Sequence, residues 1–179
     1  SRIGRFDHCD VLRSADGSRK FLTRLDDGLV VESVLIPESR WLTLCLSTQV
    51  GCTLDCGFCL TGRMGLKRNL NAHEIVDQVL TVQDRLEPGE TLTNLVLMGM
   101  GEPLANLDAV SEAIAKLTNT TWGVGIPARR ITLSTAGLAT RLKARNRRAG
   151  IVYSNRGGRG ADGAAAARAH IQRYGIAIN

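Results

Sequence analysis

The sequence predicts an α/β fold in which parallel strands alternate with helices, preceded by a β-hairpin. From Leu42 onward, helix-like segments separate short apolar segments in the order strand, helix, strand, helix, strand. Connections of that kind build a parallel sheet with right-handed crossovers. A strong turn signal also lies inside a β-rich stretch before residue 40. The length of 179 residues suits one domain or a piece of a larger protein.

The hairpin is predicted within an N-terminal segment that spans residues 1–40. Apolar residues between positions 20 and 25 precede Asp26-Asp27-Gly28, which is a strong turn sequence. A β-rich run from residue 29 to residue 36 follows the turn, and Pro37 ends it. Two β-rich runs on either side of a tight turn indicate antiparallel pairing.

Two helices are predicted between the parallel strands. The clearer one covers residues 71–86: Asn71 can cap its first turn, Glu74 occupies the capping-box position, and its apolar residues keep helical spacing. The second helix runs from about residue 107 to residue 117 and carries an apolar stripe on one side. Both segments therefore fit crossover helices of a parallel sheet.

Three apolar segments are the predicted parallel strands, at residues 42–47, 94–98 and 130–133. The middle segment is a continuous apolar run, as expected for a strand that is covered on both faces. Parallel strands linked through helices point the same way, so their C-terminal ends share one edge, where folds of this class place their sites. We therefore expect the loops that follow these strands to meet on one face: residues 52–59, 99–103 and 134–137.

The net charge of +6 comes from the C-terminal part of the sequence. Residues 141–179 carry a balance of +8, and residues 1–140 carry −2. Net charge therefore gives no argument for nucleic-acid binding by the body of the protein. The first twenty residues contain no apolar leader segment, and no later stretch reaches membrane-spanning length. We therefore expect a cytoplasmic protein that does not associate with a membrane.

Three of the five cysteines fall within eight residues, in the spacing Cys-x3-Cys-x2-Cys: Cys52, Cys56 and Cys59. Such clustering in a chain without a signal peptide favours metal binding over disulfides. Ferredoxin-type clusters use four cysteines. No fourth follows closely here, so one iron of a [4Fe–4S] cluster would keep an open position. S-adenosylmethionine could bind there through its amino and carboxylate groups, and an electron from the cluster would then break a carbon–sulfur bond.

A structural zinc site is the alternative to an iron–sulfur cluster. Structural zinc usually takes four ligands in two pairs. The sequence contains no second pair of this kind, and the nearest histidine, His73, lies in a predicted helix. The number and spacing of the cysteines therefore favour the iron–sulfur cluster.

Four segments give the sequence a specific resemblance to a known family: residues 31–37 (VESVLIP), 43–59 (TLCLSTQVGCTLDCGFC), 94–103 (NLVLMGMGEP) and 130–137 (RITLSTAG). They resemble the radical S-adenosylmethionine RNA methyltransferases, and within that family the enzymes that methylate carbon-2 of adenine in rRNA and tRNA. The resemblance runs from about residue 11 to residue 143. It implies that residues 41–143 form a partial radical-SAM (βα) barrel of parallel strands.

The resemblance also implies roles for individual residues. The three clustered cysteines would ligate the [4Fe–4S] cluster. Gly101 and Glu102 would contact the amino acid moiety of S-adenosylmethionine, and Ser134 would hold the same cofactor from the next strand. Glu32 matches a general base of the family. Cys45 matches a cysteine that helps to resolve the protein–RNA intermediate through a disulfide.

Each of these residues also has a plainer interpretation. Glu32 alternates with apolar residues and fits a solvated strand face, and Cys45 fits a small hydrophobic residue in an apolar strand. Ser134 fits the end of a strand, and Glu102 fits an ordinary first-turn acid of a helix. The resemblance favours the functional interpretation, most strongly for Gly101 and Glu102.

The expected partners follow from the same resemblance. They are large-subunit rRNA and tRNA as substrates, and an external electron donor such as flavodoxin. Arg63, Lys67 and Arg68 follow the cysteine loop and are candidates for contacts with RNA phosphates, against a default of solvated surface. Two other functions stay open: a related methyltransferase that acts on adenine carbon-8, and an inactive fragment or metal-stabilised RNA-binding module.

The sequence also departs from the family. It lacks the Ser-Leu-His segment, the cofactor-binding asparagine and the methyl-accepting cysteine that the family carries further along, and it lacks an N-terminal RNA-binding domain. Residues 144–179 form an atypical tail rich in Arg, Gly and Ala. One interpretation is that this tail is not native to the family and results from a shifted reading frame or a mis-joined gene end. We therefore expect that this chain alone does not complete methyl transfer.

Overall fold

The computed structural model of the protein describes residues 6, 8–54, 56 and 59–136. The predicted tail at residues 144–179 and the last residue of the predicted 134–137 loop lie outside the described residues. The described part of the chain is a mixed α/β structure in which helices alternate with strands of a single large sheet.

The large sheet has six strands, and a separate two-stranded ladder lies beside it. The strands are β1 (Cys9–Arg13), β2 (Arg19–Arg24), β3 (Val30–Pro37), β4 (Leu42–Cys45), β5 (Gln49–Val50), β6 (Arg68–Asn69), β7 (Asn94–Leu97) and β8 (Ile131–Leu133). The α-helices are α1 (Leu60–Arg63), α2 (Ala72–Gln83) and α3 (Leu107–Thr118). The large sheet has the order β1-β2-β3-β4-β7-β8, and β5 pairs with β6.

The predicted hairpin is confirmed, and a further strand extends it. β2 and β3 pair antiparallel around a turn at Gly28, whose φ of +81° favours glycine. The Leu25 amide donates to the Leu29 carbonyl at 2.7 Å and closes this turn. β1 adds to the outer edge of β2 in antiparallel pairing. The sequence does not predict β1, because four of its five residues are exposed and no buried face imposes an apolar alternation.

The predicted parallel strands are confirmed. β4 pairs parallel with β7 and β7 with β8, while β3 joins β4 antiparallel. The burial of β7 differs from the prediction. Leu95 and Leu97 are buried on the side of the helices, whereas Val96 on the opposite side is only half-buried. Within the described part of the chain, β7 is therefore fully covered on one face only.

Both predicted crossover helices form and pack together over one face of the sheet. The capping box predicted at Asn71 and Glu74 is present, and the Asn71 amide donates to the Glu74 carboxylate at 2.8 Å. The core lies between these helices and the sheet. Its buried members include Leu44, Leu95, Ile131, Ile75, Val79, Val110 and Ile114.

A buried amide connects α2 to two strands. The Gln78 Oε1 accepts from the Ser33 hydroxyl at 2.8 Å and from the Ser47 amide at 3.0 Å, and Nε2 donates to the Ser47 carbonyl at 3.0 Å. Buried polar groups are stable only when they are hydrogen-bonded in this way. Gln78 therefore fixes β3 and the chain that leaves β4 relative to α2.

Asp77, beside this amide on α2, is a buried acid with a perturbed pKa. Burial raises the pKa of Asp77 to about 6. The nearby carboxylates of Glu74 and Asp26 raise it as well, while His73 and Lys116 act in the opposite direction. The folded protein therefore holds the Asp77 proton more tightly than the unfolded chain, whose Asp pKa is about 3.9.

The substitution Asp77→Asn tests this burial. Because the folded pKa is the higher one, the stabilisation from the Asp77 proton is complete below about pH 4 and lost as the pH rises through about 6. Asp77→Asn should therefore raise the free energy of unfolding at pH 7.5 by about 1–3 kcal/mol. Urea denaturation between pH 4 and 7.5 measures the change. The exposed Asp108→Asn controls for net charge, and equal effects of the two substitutions would contradict the prediction.

Candidate active site

The three loops that follow the parallel strands meet at one edge of the sheet, as the sequence predicts. The Thr48 amide, after β4, donates to the Met100 carbonyl, after β7, at 2.8 Å. The loop after β8 joins them through Thr135, whose hydroxyl donates to the Glu102 carboxylate at 2.6 Å. Hydrogen bonds therefore join the chain that leaves β4 to the loop after β7, and that loop to the loop after β8.

Two glycines let the loop after β7 lie against the chain that leaves β4. A Cβ atom on Gly99 would lie 2.7 Å from the Leu46 carbonyl carbon, and the Gly99 amide donates to the Leu46 carbonyl oxygen at 2.9 Å. Gly101 has a φ of +100°, and a Cβ atom there would lie 2.6 Å from the Gln49 Cβ. A side chain at either position would collide with its neighbour, so this approach requires glycine.

The cysteine loop, residues 52–59, is closed by backbone contacts at positions where only glycine fits. β5 and β6 pair at its base, where the Cys52 amide donates to the Gly65 carbonyl at 3.3 Å. Gly51 has a φ of +77°, and a Cβ atom there would lie 1.8 Å from the Gly65 carbonyl oxygen. On the other side, a Cβ atom on Gly62 of α1 would lie 2.9 Å from the Leu54 carbonyl oxygen. The glycines on both sides therefore hold the described ends of this loop against neighbouring backbone.

The three clustered thiols lie in one neighbourhood. Burial raises the pKa of Cys52, and the nearby thiols of Cys56 and Cys59 raise it further, as does the Glu102 carboxylate. The Leu54 amide donates to the Cys52 Sγ at 3.4 Å and opposes this rise. Among the residues that the structure describes, no three His, Cys, Asp or Glu side chains are arranged as a formed metal site. The thiols are therefore close together without having ligand geometry.

Glu102 is buried, and its carboxylate is fully bonded within the protein. Oε1 accepts from the Leu104 amide at 3.0 Å and from the Thr135 hydroxyl at 2.6 Å, and Oε2 accepts from the Ala136 amide at 2.8 Å. The side chain therefore fastens the loop after β8 to the loop after β7. The sequence predicts Glu102 as a site residue but does not predict this structural role.

Ser134 lies at the same edge, directly after β8, and is half-buried. Its neighbour Thr135 makes the bond to Glu102, and the buried Gln49 accepts from the Glu102 amide at 2.9 Å. The sequence analysis did not single out Thr135 or Gln49. Neither carries a distinguishing signal, because polar residues at strand ends are ordinary in any fold.

Glu32 and Cys45 lie on the face of the sheet that points away from the helices. Side chains alternate along a strand, and the buried neighbours Ser33 and Leu44 face the helices. Glu32 is half-buried and forms an ion pair with Lys20, with an Oε2–Nζ distance of 3.0 Å. The structure therefore brings the two predicted catalytic residues to the same face.

The Cys45 thiol is shielded from solvent by its position between β3 and β7. Burial raises its pKa, and a hydrogen bond with the Met98 backbone acts in the opposite direction. A thiol with a raised pKa stays protonated at neutral pH and is a weak nucleophile. In the register of the sheet, Cys45 lies opposite Val34 rather than opposite Glu32.

Arg68, predicted as a candidate for contacts with RNA phosphates, forms ion pairs within the protein. Its guanidinium binds the Asp27 carboxylate at 2.6 Å and the Glu74 carboxylate at 2.8 Å. The bond to Arg68 lowers the pKa of Asp27. Arg68 thus ties the hairpin turn to α2, because two carboxylates already use its donors. The proposed phosphate contacts of Arg63 and Lys67 stay predictions.

The fold and the cysteine loop define the class of protein. The sequence profile of the Radical SAM superfamily matches residues 46–153, which is more than half of the chain. The chain therefore belongs to the Radical SAM superfamily. The predicted resemblance is confirmed.

Curated relatives are similar to this chain over most of its length. The chain is 51% identical over 140 residues to the dual-specificity RNA methyltransferase RlmN of Desulfosudis oleivorans, covering 78% of this chain and 38% of that protein. It is 56% identical over 128 residues to the RlmN of Syntrophobacter fumaroxidans, covering 72% of this chain and 37% of that protein. The chain thus spans less than two fifths of the length of these relatives.

A solved structure shares the fold. The crystal structure of a radical SAM methyltransferase from Sphaerobacter thermophilus matches with a TM-score of 0.80 and 35% identity, covering 95% of this chain and 56% of that protein. The predicted partial barrel is confirmed, since the described residues contain parallel strands but form no closed barrel. Within the same part of the chain, no helix has the length and apolar character needed to cross a membrane.

The substitution Gly101→Ala tests the close approach of the two loops. The positive φ costs alanine about 1 kcal/mol, and the collision with Gln49 adds about 1–3 kcal/mol. Gly125→Ala is the matched control, because Gly125 has a φ of +77° but open space around its Cβ position. Urea denaturation should show the larger loss of stability for Gly101→Ala. Equal losses would contradict the packing of Gly101 on Gln49.

Proposed function

We propose that this chain is the cofactor-binding core of a radical S-adenosylmethionine RNA methyltransferase that modifies carbon-2 of adenine in large-subunit rRNA and tRNA. The main support is that the cysteine loop and the loop of Gly101 and Glu102 are joined at the C-terminal edge of the parallel strands. The similarity to RlmN proteins supports the choice of reaction and of RNA substrates. An external electron donor and a cytoplasmic location belong to the same proposal.

The donor chemistry of the residues at this edge fits a [4Fe–4S] cluster. Thiolates are the ligands that such clusters take, and Cys52, Cys56 and Cys59 come from one short loop. Three thiolates leave one iron for an external ligand, which fits S-adenosylmethionine. A reduced cluster of this kind supplies the electron that breaks a carbon–sulfur bond of S-adenosylmethionine. The glycines at both ends of the loop hold it closely against neighbouring backbone.

Gly101, Glu102 and Ser134 are the proposed holders of S-adenosylmethionine. Gln49 fills the space beside Gly101 where a side chain would lie, so the proposed contact with S-adenosylmethionine is one of the Gly101 main chain. Since the Glu102 carboxylate is bonded to the loop after β8, its contribution is to fix the main chain of both loops. The half-buried Ser134 hydroxyl lies at the same edge. Groups held in this way before a ligand arrives need little rearrangement to bind it.

Glu32 and Cys45 are the proposed residues on the RNA side of the site. A general base must be able to reach its proton donor, and the Glu32 carboxylate is half exposed on the face away from the helices. The Cys45 thiol lies on the same face, and burial raises its pKa and so favours the protonated form. Their position on one face supports a role for both in the reaction of the adenine ring.

Anaerobic reconstitution of the full chain with iron and sulfide tests the cluster. The protein should become brown and bind about four iron atoms per chain, and with a reductant and S-adenosylmethionine it should release 5′-deoxyadenosine. Replacing Cys52, Cys56 or Cys59 by Ala should abolish both properties, because each would remove a ligand. Cys9→Ala, outside the loop, is the matched control. A colourless protein that binds zinc and releases no 5′-deoxyadenosine would instead indicate a metal-stabilised module.

A chimaera tests the reaction and the role of Glu32. Residues 8–136 would replace the matching segment of the full-length RlmN of Desulfosudis oleivorans. The chimaera should form 2-methyladenine in rRNA, measured by mass spectrometry of digested nucleosides. Glu32→Gln in the chimaera should lower this rate by at least about 100-fold, because a general base contributes at least that much.

The control for this test is Lys20→Met, which removes the ion pair but keeps the carboxylate. An exposed pair contributes little to stability, so this variant should keep most of the activity. Methylation at carbon-8 instead of carbon-2 would contradict the proposed reaction, and full activity of Glu32→Gln would contradict the proposed base.

A further inference from the structure

We propose that Gln49 is a positioning residue that couples the cysteine loop to the loop of Gly101 and Glu102. This inference rests on the proposed function and deepens it, because it names the side chain that fixes the position of one cofactor-holding loop relative to the other. Gln49 is the first residue of β5, and its relative exposure is 0%.

The Gln49 side chain uses both ends of its amide. Oε1 accepts from the Glu102 amide at 2.9 Å and from the Thr53 amide at 3.3 Å. Nε2 donates to the Thr53 hydroxyl at 2.8 Å and to the Asn69 Oδ1 at 2.7 Å. Thr53 follows Cys52 directly in the cysteine loop. One buried side chain therefore bonds to both loops and to β6.

The chemistry of these partners requires an amide at position 49. The backbone amide of Glu102 can only donate, so the atom facing it must be an acceptor, and the opposite end of the side chain is left to donate. Glutamine supplies both functions, whereas a carboxylate supplies no donor and an aliphatic side chain supplies neither. The methylene carbons of Gln49 also lie against Gly101, where a Cβ atom would be 2.6–2.7 Å from them.

Other hydrogen bonds would survive the loss of this side chain. The Cys52 amide would still bond to Gly65, and the Met100 amide would still donate to the Ser47 hydroxyl at 2.9 Å. The cysteine loop and the loop of Gly101 and Glu102 would each keep their own backbone hydrogen bonds. The side-chain hydrogen bonds that connect the two loops would be lost, so the loops could shift relative to each other. Small displacements between two reacting groups strongly reduce productive contact.

Gln78 provides a matched control for a buried glutamine. It is equally buried, and its amide is also bonded at both ends. Its partners are Ser33, Ser47 and Glu74, none of which lies in the cysteine loop or the loop of Gly101 and Glu102. Gln78→Leu therefore removes a comparable set of hydrogen bonds without separating the two loops.

The test is a titration of the reconstituted, reduced full chain with S-adenosylmethionine, followed by the electron paramagnetic resonance signal of the cluster. Gln49→Leu should bind iron to within about twofold of the unsubstituted chain. It should need at least about tenfold more S-adenosylmethionine for half of the spectral change, because more than one buried hydrogen bond is lost. Gln78→Leu should lose thermal stability but keep its midpoint within about twofold.

The outcomes separate the coupling from the proposed function. If the unsubstituted chain binds no iron or shows no response to S-adenosylmethionine, the proposed function fails and the inference fails with it. If it responds and Gln49→Leu has the same midpoint, or if Gln78→Leu shifts as much as Gln49→Leu, the coupling alone is overturned.

A second variant decides the matter if Gln49→Leu does not fold. Thr53→Val removes only the hydroxyl that Gln49 bonds, from an exposed position in the cysteine loop. It should raise the midpoint at least about threefold, as expected for the loss of one hydrogen bond. An unchanged midpoint would overturn the coupling.

Discussion

The chain that leaves β4, residues 46–49, determines where the loops after the parallel strands meet. It is completely buried, so its backbone groups need partners inside the protein. Leu46 donates to the Val96 carbonyl at 2.8 Å, and Thr48 donates to the Met100 carbonyl at 2.8 Å. These bonds hold the chain beside the loop after β7 beyond the end of regular strand pairing. Loops that would otherwise diverge therefore stay side by side.

The hydrogen bonds of this buried chain restrict which residues the neighbouring loop can contain. The loop after β7 can approach only where it has no side chains, at Gly99 and Gly101. The same loop then uses the Glu102 carboxylate to bind the loop after β8. Close backbone contact and a buried carboxylate thus add to the hydrophobic packing of Leu46, Met100 and Leu104 at this edge. Hydrogen bonds within the protein therefore set the main chain at this edge, which is the condition for rigid positioning.

Local signals in the sequence account for much of this fold. The capping box of α2, the apolar spacing of α3 and the turn at Gly28 are contained within a few neighbouring residues, and all three form. The meeting of the loops also followed from the sequence, because parallel strands joined by helices leave little choice of edge. The three cysteines were evident from their spacing alone.

The contacts that the sequence did not reveal join residues far apart in the chain. The bond between Gln49 and Glu102 spans 53 positions, and the one between Asp27 and Arg68 spans 41. No local sequence pattern distinguishes Arg68, which pairs with two carboxylates, from a solvated arginine. Nor does any local pattern distinguish Gln49, which bonds to both loops, from an ordinary glutamine at the end of a strand. Such pairings depend on the completed packing, and only coordinates reveal them.

The Gln78 amide has a consequence for how the protein unfolds. It bonds to Ser33 in the antiparallel part of the sheet and to Ser47 at the end of the parallel part, while the pairing of β3 with β4 runs across the same boundary. Detaching the first forty residues would remove the Ser33 hydroxyl from the buried Gln78 amide and expose the edge of β4. The amino-terminal hairpin and the parallel half of the sheet should therefore melt in one cooperative transition, and neither should behave as an autonomous folding unit.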